Sequence, residues 1–157
     1  MFSALQSALA LRFIQSLNQV SDSSRVFLFS EELHEADAFS LQNMDLFRNY
    51  VRESGLYGRG TDLGTALEKL CAMNPSPLSS NATFLILSDT KTIDQPRALR
   101  ALQEAKRLSG RVIILNPIPE GKWQYVKSIQ AFSNLCTMIS CSTLRDLAAA
   151  CRKLTVN

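Results

Sequence analysis

Three short segments of the chain are apolar at every position. They are residues 26–29 (VFLF), 84–87 (FLIL) and 112–115 (VIIL). Side chains alternate between the two faces of a strand, so such runs predict strands buried on both faces, as in a parallel sheet covered by helices. A weaker run at residues 136–139 predicts a fourth strand. Residues 33–39 alternate loosely and predict an edge strand folded back on the first.

Helical periodicity fills the segments between these runs. Residues 2–18 carry a broad apolar stripe, which predicts a helix largely covered by its neighbours. Asp94 is placed to cap a helix that ends before Gly110. A last helix begins near Thr143, which has the spacing of a capping box with Asp146. The alternation of strands and helices predicts an α/β domain with a three-layer, doubly wound and mostly parallel sheet that has helices on both faces.

Length and composition predict one ordinary globular domain. The chain has 157 residues, of which 46% are hydrophobic and 20% charged, and we expect a single domain over residues 1–157. No apolar run reaches 18 residues, so we expect no membrane contact. The formal net charge of +3 is too small to predict a nucleic-acid partner.

The metal-binding and redox residues are few and scattered. The four cysteines are Cys71, Cys136, Cys141 and Cys151, and the single histidine is His34. They contain no Cys-x-x-Cys pair, so no zinc site is predicted. We expect buried, reduced thiols in a cytoplasmic protein. The apolar start of the chain has its first basic residue only at Arg12, too late for a signal peptide.

Polar residues follow the predicted strands. Ser30 ends the first strand, Asp89 follows the second, and the glycine-rich residues 55–60 lead into Thr61 and Asp62. These segments form a candidate site, because ligands of parallel sheets bind at the carboxyl ends of strands. The glycine spacing matches neither of the two nucleotide-binding fingerprints. On residue types alone, a turn with helix caps is the favoured interpretation.

The order of these segments is more specific than any one of them. A helix, the strand RVFLFS, the loop GRGTDLGTAL and the strand TFLILSDT resemble a von Willebrand factor A domain, and more narrowly its CoxE-like branch, found beside MoxR-type AAA+ ATPases. The resemblance continues through RVIILNP and CTMISCSTLRDLAAACRKL and covers nearly the whole chain. It implies a non-enzymatic protein-interaction module, an adaptor for a MoxR-type AAA+ ATPase in the maturation of metalloenzymes or other complexes.

The resemblance also implies a metal-ion-dependent adhesion site. In the family this site combines an Asp-x-Ser-x-Ser motif after the first strand, a threonine from a Gly-Thr loop and an aspartate from a Ser-Asp-Gly segment. Thr61 and Asp89 match the last two, and Ser30 and Asp62 are candidate supporting residues. Mg²⁺ takes six oxygen ligands and keeps several waters, so such a site bridges to a partner's carboxylate. Thr90 stands where the family has glycine.

The resemblance starts at a point inside the family's sequence pattern, after its first motif. The opening of this chain matches the helix that follows Asp-x-Ser-x-Ser, so we expect the first strand and that motif to be missing and Mg²⁺ binding to be weak or absent. The missing strand would lie between the strands of Phe27 and Leu85. Either these two strands pair directly, or a segment of another chain fills the place, a second copy included.

Other interpretations stay open. The competing class is a small Mg²⁺-dependent α/β hydrolase or phosphotransfer enzyme that uses Asp89, although no base, nucleophile or phosphate loop accompanies this aspartate. His34 lies among acidic residues, where a solvated acidic edge is favoured over a catalytic pair. Trp123 and Tyr125 have neighbouring lysines, and an anchored loop is favoured over a surface that stacks on nucleic-acid bases.

Overall fold

The computed structural model describes residues 4–21, 23–56 and 60–155. The helices are α1 (Ala4–Val20), α2 (Met44–Glu53), α3 (Leu63–Ala72), α4 (Gln95–Leu108), α5 (Lys127–Ser133) and α6 (Leu144–Thr155), with a 3₁₀ helix at Glu120–Tyr125. The strands are β1 (Val26–Phe29), β2 (Leu33–Ala36), β3 (Thr83–Leu87), β4 (Arg111–Asn116) and β5 (Thr137–Ser140). The α/β class and the strand nature of all four apolar runs are confirmed.

The strands form two separate hydrogen-bonded sheets. Strands β3, β4 and β5 are parallel, with β4 in the middle, whereas β1 and β2 form an antiparallel ribbon. Leu85 and Ile86 therefore lie in the parallel sheet, and Phe27 lies in the ribbon. Within the described residues β1 is not paired with β3, so the first of the two expected outcomes, direct pairing of these strands, is not found.

Helices cover both faces of the parallel sheet. On one face Val112 and Ile114 pack against buried side chains of α3, α4 and α5, including Phe132. On the other face Ile113 and Leu115 pack against α1 and α6. The four residues of the VIIL run in β4 thus alternate between two apolar clusters, which is why the run has no polar position. The ribbon packs on a third cluster with α1 and α2.

The predicted helix boundaries depend on capping residues, and these act as expected. The Asp94 side chain accepts a hydrogen bond from Arg97 N–H at the start of α4. In the capping box of α6, Thr143 N–H donates to Asp146, and Asp146 N–H donates to the Thr143 hydroxyl. Because these are local interactions between residues close in sequence, a single sequence is enough to predict them.

Two boundaries differ from the prediction. The strand expected over residues 33–39 ends at Ala36, because Asp37 accepts a hydrogen bond from Ser40 N–H at 2.7 Å and turns the chain. The helix expected over residues 2–18 runs over Ala4–Val20, and residues 2–3 lie outside the described part. Helices α2 and α5 were not predicted.

The cysteines are less buried than the sequence analysis expects. All four cysteines are free; Cys141 is buried and the other three are half-buried. Burial raises the pKa of the Cys141 thiol to about 11, so it stays protonated at neutral pH. Among the described helices, none is long and apolar enough to cross a membrane.

Candidate functional site

The carboxyl end of β1 is hydrogen-bonded to the start of α3. The Ser30 carbonyl accepts a hydrogen bond from Asp62 N–H at 2.8 Å. Ser30 is only 5% exposed, and its hydroxyl oxygen has no hydrogen-bond partner in the part of the chain that the structure describes. This contact fixes the position of the turn that carries Thr61 and Asp62.

The loop after β3 is bonded to the same turn. The Thr61 carbonyl accepts hydrogen bonds from Ile93 N–H at 3.0 Å and from the Thr92 hydroxyl at 3.3 Å. The Thr92 oxygen also accepts a bond from Leu63 N–H at 3.0 Å. Thr92 therefore links the loop after β3 to the first turn of α3. It was not predicted, because nothing in the sequence marks this threonine as a bridge.

Asp89 lies in a tightly bonded turn. One of its carboxylate oxygens accepts a hydrogen bond from Lys91 N–H at 2.9 Å. The next residue, Thr90, is fully buried and has a φ of 65°. Left-handed backbone costs a β-branched residue about 1–2 kcal/mol. By the resemblance described above, this is also the position at which the family has glycine, the residue that adopts such backbone freely.

Hydrogen bonds hold Thr90 in this conformation. Its N–H donates to the Ser88 hydroxyl at 3.0 Å, and its hydroxyl lies 2.6 Å from the Asp89 carbonyl and 3.0 Å from the Ser128 hydroxyl. Ser128 belongs to the first turn of α5, so the Asp89 turn is anchored to that helix as well. Neither Thr90 nor Ser128 was predicted as part of the site.

Asp62 acts as the N-cap of α3. Its carboxylate accepts bonds from the Thr65 N–H at 3.0 Å and the Thr65 hydroxyl at 2.6 Å, and Arg97 lies 3.8 Å away. Partial burial acts to raise the pKa of Asp62, but these hydrogen bonds and the charge of Arg97 outweigh it, so the pKa is lowered. Asp62 is thus a charged structural residue that supports the turn.

Only part of the glycine-rich loop lies in the described structure. Residues 57–59 of this loop are outside it. Gly60 packs closely against the loop after β3, since a Cβ atom there would lie 3.2 Å from the Ile93 side chain and 3.7 Å from a Glu31 carboxylate oxygen. Gly60 therefore allows the two loops to approach each other.

One comparison identifies the family. The model for the family described as "VWA domain containing CoxE-like protein" matches residues 3–151. This chain belongs to the CoxE-like family of VWA-domain proteins. Searches of the curated proteins and of the solved structures each returned no significant match. The family is generally non-catalytic, and its VWA domain is a protein-interaction module.

Among the described residues, Thr61 and Asp89 supply a small donor set for a metal ion. Thr61 offers one hydroxyl and Asp89 one carboxylate, of which one oxygen already accepts the Lys91 N–H. Within the described ranges no three His, Cys, Asp or Glu side chains converge on a point. Mg²⁺ prefers six oxygens, so these residues fit only a fraction of a coordination shell.

The other sequence candidates have structural roles. The acidic residues around His34 are exposed, and Glu35 forms a two-bond ion pair with Arg25 at 2.7 and 2.8 Å. His34 Nε2 lies 3.4 Å from Glu32 without a hydrogen bond. The Trp123 indole N–H donates to the Ile118 carbonyl at 2.8 Å and anchors the 3₁₀ helix, as the favoured interpretation expected.

Proposed function

We propose that this CoxE-like chain is an adaptor that binds a MoxR-type AAA+ ATPase in the cytoplasm and serves in the maturation of metalloenzymes or other complexes. Together with the family, one observation supports the proposal: the loops at the carboxyl ends of β1 and β3 are hydrogen-bonded to the turn that begins α3. Three loops from β1, β3 and the start of α3 are tied to one another by the hydrogen bonds of Ser30, Thr61 and Thr92. Because the loops of such a surface are already ordered, binding a partner does not incur the conformational-entropy cost of ordering them.

The exposed groups at this edge supply the contact chemistry. Ile93 is 68% exposed although its backbone is bonded to Thr61, so it presents a fixed apolar side chain beside the candidate polar residues. Half-buried Thr61 and Asp89 lie on the two loops joined there. Apolar anchors that are surrounded by polar groups are typical of the energetically important centre of an interface.

A divalent cation is proposed as a shared ligand of this edge. Thr61 and Asp89 would hold Mg²⁺ through a hydroxyl and a carboxylate, and the remaining oxygens would come from water and from the partner protein. The cation would supply a charge bridge to a partner's carboxylate. Because few of its ligands come from this chain, binding should depend on the partner.

The space between β1 and β3 is proposed to receive an extended segment of another chain. Ser88 N–H donates to the Leu115 carbonyl, so by alternation the N–H and C=O groups of Leu85 and Leu87 point away from β4. Both residues are half-buried, and unpaired backbone groups are costly when they are shielded from water. A strand added at this edge would pair them, and self-association through this gap is one way to provide it.

A non-catalytic role is proposed for Asp89. The Asp89 carboxylate accepts a hydrogen bond from Lys91 N–H, and the neighbouring Thr90 hydroxyl is bonded to the Asp89 carbonyl and to the Ser128 hydroxyl, so these bonds hold the turn in place. A hydrolase or phosphotransfer enzyme needs a base or nucleophile within reach of the reacting atoms. Assays of the purified protein with generic phosphoesters and nucleotides in Mg²⁺ should show no turnover; turnover that is lost in Asp89→Ala would overturn the proposed role.

Binding to a MoxR-type ATPase tests the proposal directly. Interferometry with the ATPase immobilised should detect binding, and Asp89→Ala and Ile93→Ala should each weaken it by about tenfold or more, because both remove groups from the centre of the surface. Glu53→Ala, an exposed substitution on α2, is the control and should bind as the parent. No binding by the folded parent, or equal binding by all variants, would contradict the proposal.

A further inference from the structure

The outer edge of the parallel sheet is a short strand without charged residues or proline. In the part of the chain that the structure describes, β5 is the last strand of its sheet, and its residues Thr137–Ser140 include no charge and no proline. Edge strands of monomeric proteins commonly carry charges, prolines or bulges that prevent pairing with another chain. β2, the partner of β1 in the ribbon, follows this rule, since it includes the exposed Glu35. β5 does not.

The backbone groups at the edge of β5 are arranged for pairing. Cys141 N–H donates to the Asn116 carbonyl at 2.8 Å, so Cys141 faces β4. Because the N–H and C=O groups of successive residues alternate in direction, those of Met138 and Ser140 face the open side. The edge therefore offers two donors and two acceptors at the spacing of a strand ladder.

A cavity lies directly beside this edge. It has a volume of about 260 Å³ and is lined by Glu120, Trp123, Met138, Ile139, Ser140, Asp146, Ala149, Ala150 and Lys153. Ile139 packs on the α6 face of the sheet, where the small side chains of Ala149 and Ala150 leave space. An apolar side chain placed opposite Ile139 would enter this space.

Charge is unevenly distributed along the edge. Asp146 lies at the carboxyl end of β5, where it accepts bonds from Ser142 and Thr143, and Glu120 lies at the same end in the 3₁₀ helix that follows β4. α6 packs back across the sheet, so Lys153, seven residues after Asp146, lies about 10 Å further toward the other end. Neither Glu120 nor Lys153 has an ion-pair partner among residues 4–21, 23–56 and 60–155.

We propose that β5 pairs in antiparallel fashion with β5 of a second copy of this chain, around a twofold axis at Ile139. Met138 of each copy then exchanges two backbone hydrogen bonds with Ser140 of the other, which makes four in all. The two Ile139 side chains face each other in a non-hydrogen-bonded pair and fill the cavities beside them.

Charge complementarity favours a second copy as the occupant. A twofold axis reverses the direction of the edge, so the Lys153 end of one copy meets the Glu120 end of the other, twice per dimer. The two parallel sheets would become one six-stranded sheet. This interface is at β5, on the opposite side of β4 from the gap beside β3, so the two proposed contacts do not compete.

Charge reversal in this chain tests the inference. Sedimentation velocity over a wide concentration range should show a dimer for the parent. Lys153→Glu and Glu120→Lys should each raise the dimer dissociation constant by about tenfold, since each converts two attractive pairs into repulsive ones. The double variant should restore the parental dissociation constant, because the pairs form again with reversed signs. Lys69→Glu, on the last turn of α3, is the matched control and should dimerise normally.

A backbone variant tests the strand pairing independently of charge. Ser140→Pro removes the outward N–H of Ser140 and leaves the Cys141 bond to β4 in place, so it should be monomeric with a thermal midpoint near that of the parent. A monomeric parent at all concentrations would overturn the inference. So would a dimer that is unaffected by Ser140→Pro and by charge reversal, an outcome that would point to the gap beside β3. Loss of ATPase binding alone would leave this dimer unchanged and would refute only the proposed function.

Discussion

β4 and β1 have similar sequences but different surroundings. The VIIL run of β4 is 0–6% exposed, whereas all four residues of the VFLF run of β1 are half-buried. β4 has a strand on each side and helices on both faces, whereas β1 is paired with β2 alone among the described residues. An unbroken apolar run therefore indicates that both faces are covered, but it does not tell how many strands lie beside it.

The ribbon and the parallel sheet also differ in how they use charge. The ribbon has an exposed Arg25–Glu35 ion pair, and Arg25 lies 5.2 Å from the Phe27 ring. Exposed pairs of this kind contribute little to stability. In the parallel sheet, apolar packing dominates. We therefore expect stability to depend mainly on the sheet and the ribbon to tolerate change.

Matched truncations should reveal the largest difference between the two regions. Leu115→Ala, at a position with 0% exposure in β4, should reduce the free energy of unfolding by about 3–4 kcal/mol, because it leaves a cavity in a closely packed core. Leu28→Ala, at a half-buried position in β1, should cost about 1–2 kcal/mol. Urea unfolding measures both values. Equal losses would mean that the ribbon is packed as tightly as the sheet.

The Mg²⁺ affinity tests whether the space between the β1–β2 ribbon and the parallel sheet can receive a further strand that brings metal ligands. The chain alone should bind Mg²⁺ with a dissociation constant in the millimolar range or weaker, since Thr61 and Asp89 provide few ligands. A peptide with the family's first strand and Asp-x-Ser-x-Ser motif should strengthen binding by at least about tenfold, or 1.4 kcal/mol. Asp89→Ala should abolish that gain. Calorimetry measures each case, and micromolar binding by the unaided chain that survives Asp89→Ala would place the site elsewhere.

The left-handed backbone of Thr90 predicts an unusual order of stability. Glycine normally destabilises a folded position relative to alanine, but at a φ of 65° it avoids the penalty that alanine incurs. Thr90→Gly should therefore be about 1 kcal/mol more stable than Thr90→Ala, although both lose the bond to Ser128. Thermal or urea unfolding of the pair decides this, and a more stable alanine variant would contradict it.

The smallest expected effect concerns pH. The pKa of Asp62 is lower in the folded state than in the unfolded chain, so its contribution is complete above about pH 4 and is lost as pH falls through the folded value. Asp62→Asn should flatten the decline of stability in that acidic range. Glu35→Gln, in the exposed ion pair of the ribbon, should change the profile less. Urea unfolding at several acidic pH values compares the two.

Local sequence signals predicted a large part of the fold. The apolar runs identified β1, β3, β4 and β5, and the spacing of Thr143 and Asp146 identified the cap of α6. α2 was missed, although Asn43 caps it and Phe47, Tyr50 and Val51 follow one another at helical spacing. The candidate site was predicted only in outline: Ser30, Asp62 and Asp89 were expected at the carboxyl edge, while Thr92 and Ser128 were not.

By itself, the sequence determined which segments are strands and helices and where several helices begin, because side-chain alternation and capping involve residues that are near each other along the chain. It also carried the CoxE-like pattern that the family match confirms over residues 3–151. Only the tertiary structure decided that β1 joins β2 rather than β3, and that Thr92 connects the two loops of the candidate site. The Thr92 hydrogen bonds join residues about 30 positions apart in sequence. The partner of β1 is chosen among several apolar strands of similar composition. Their outcome depends on how the whole chain packs, which no local pattern encodes.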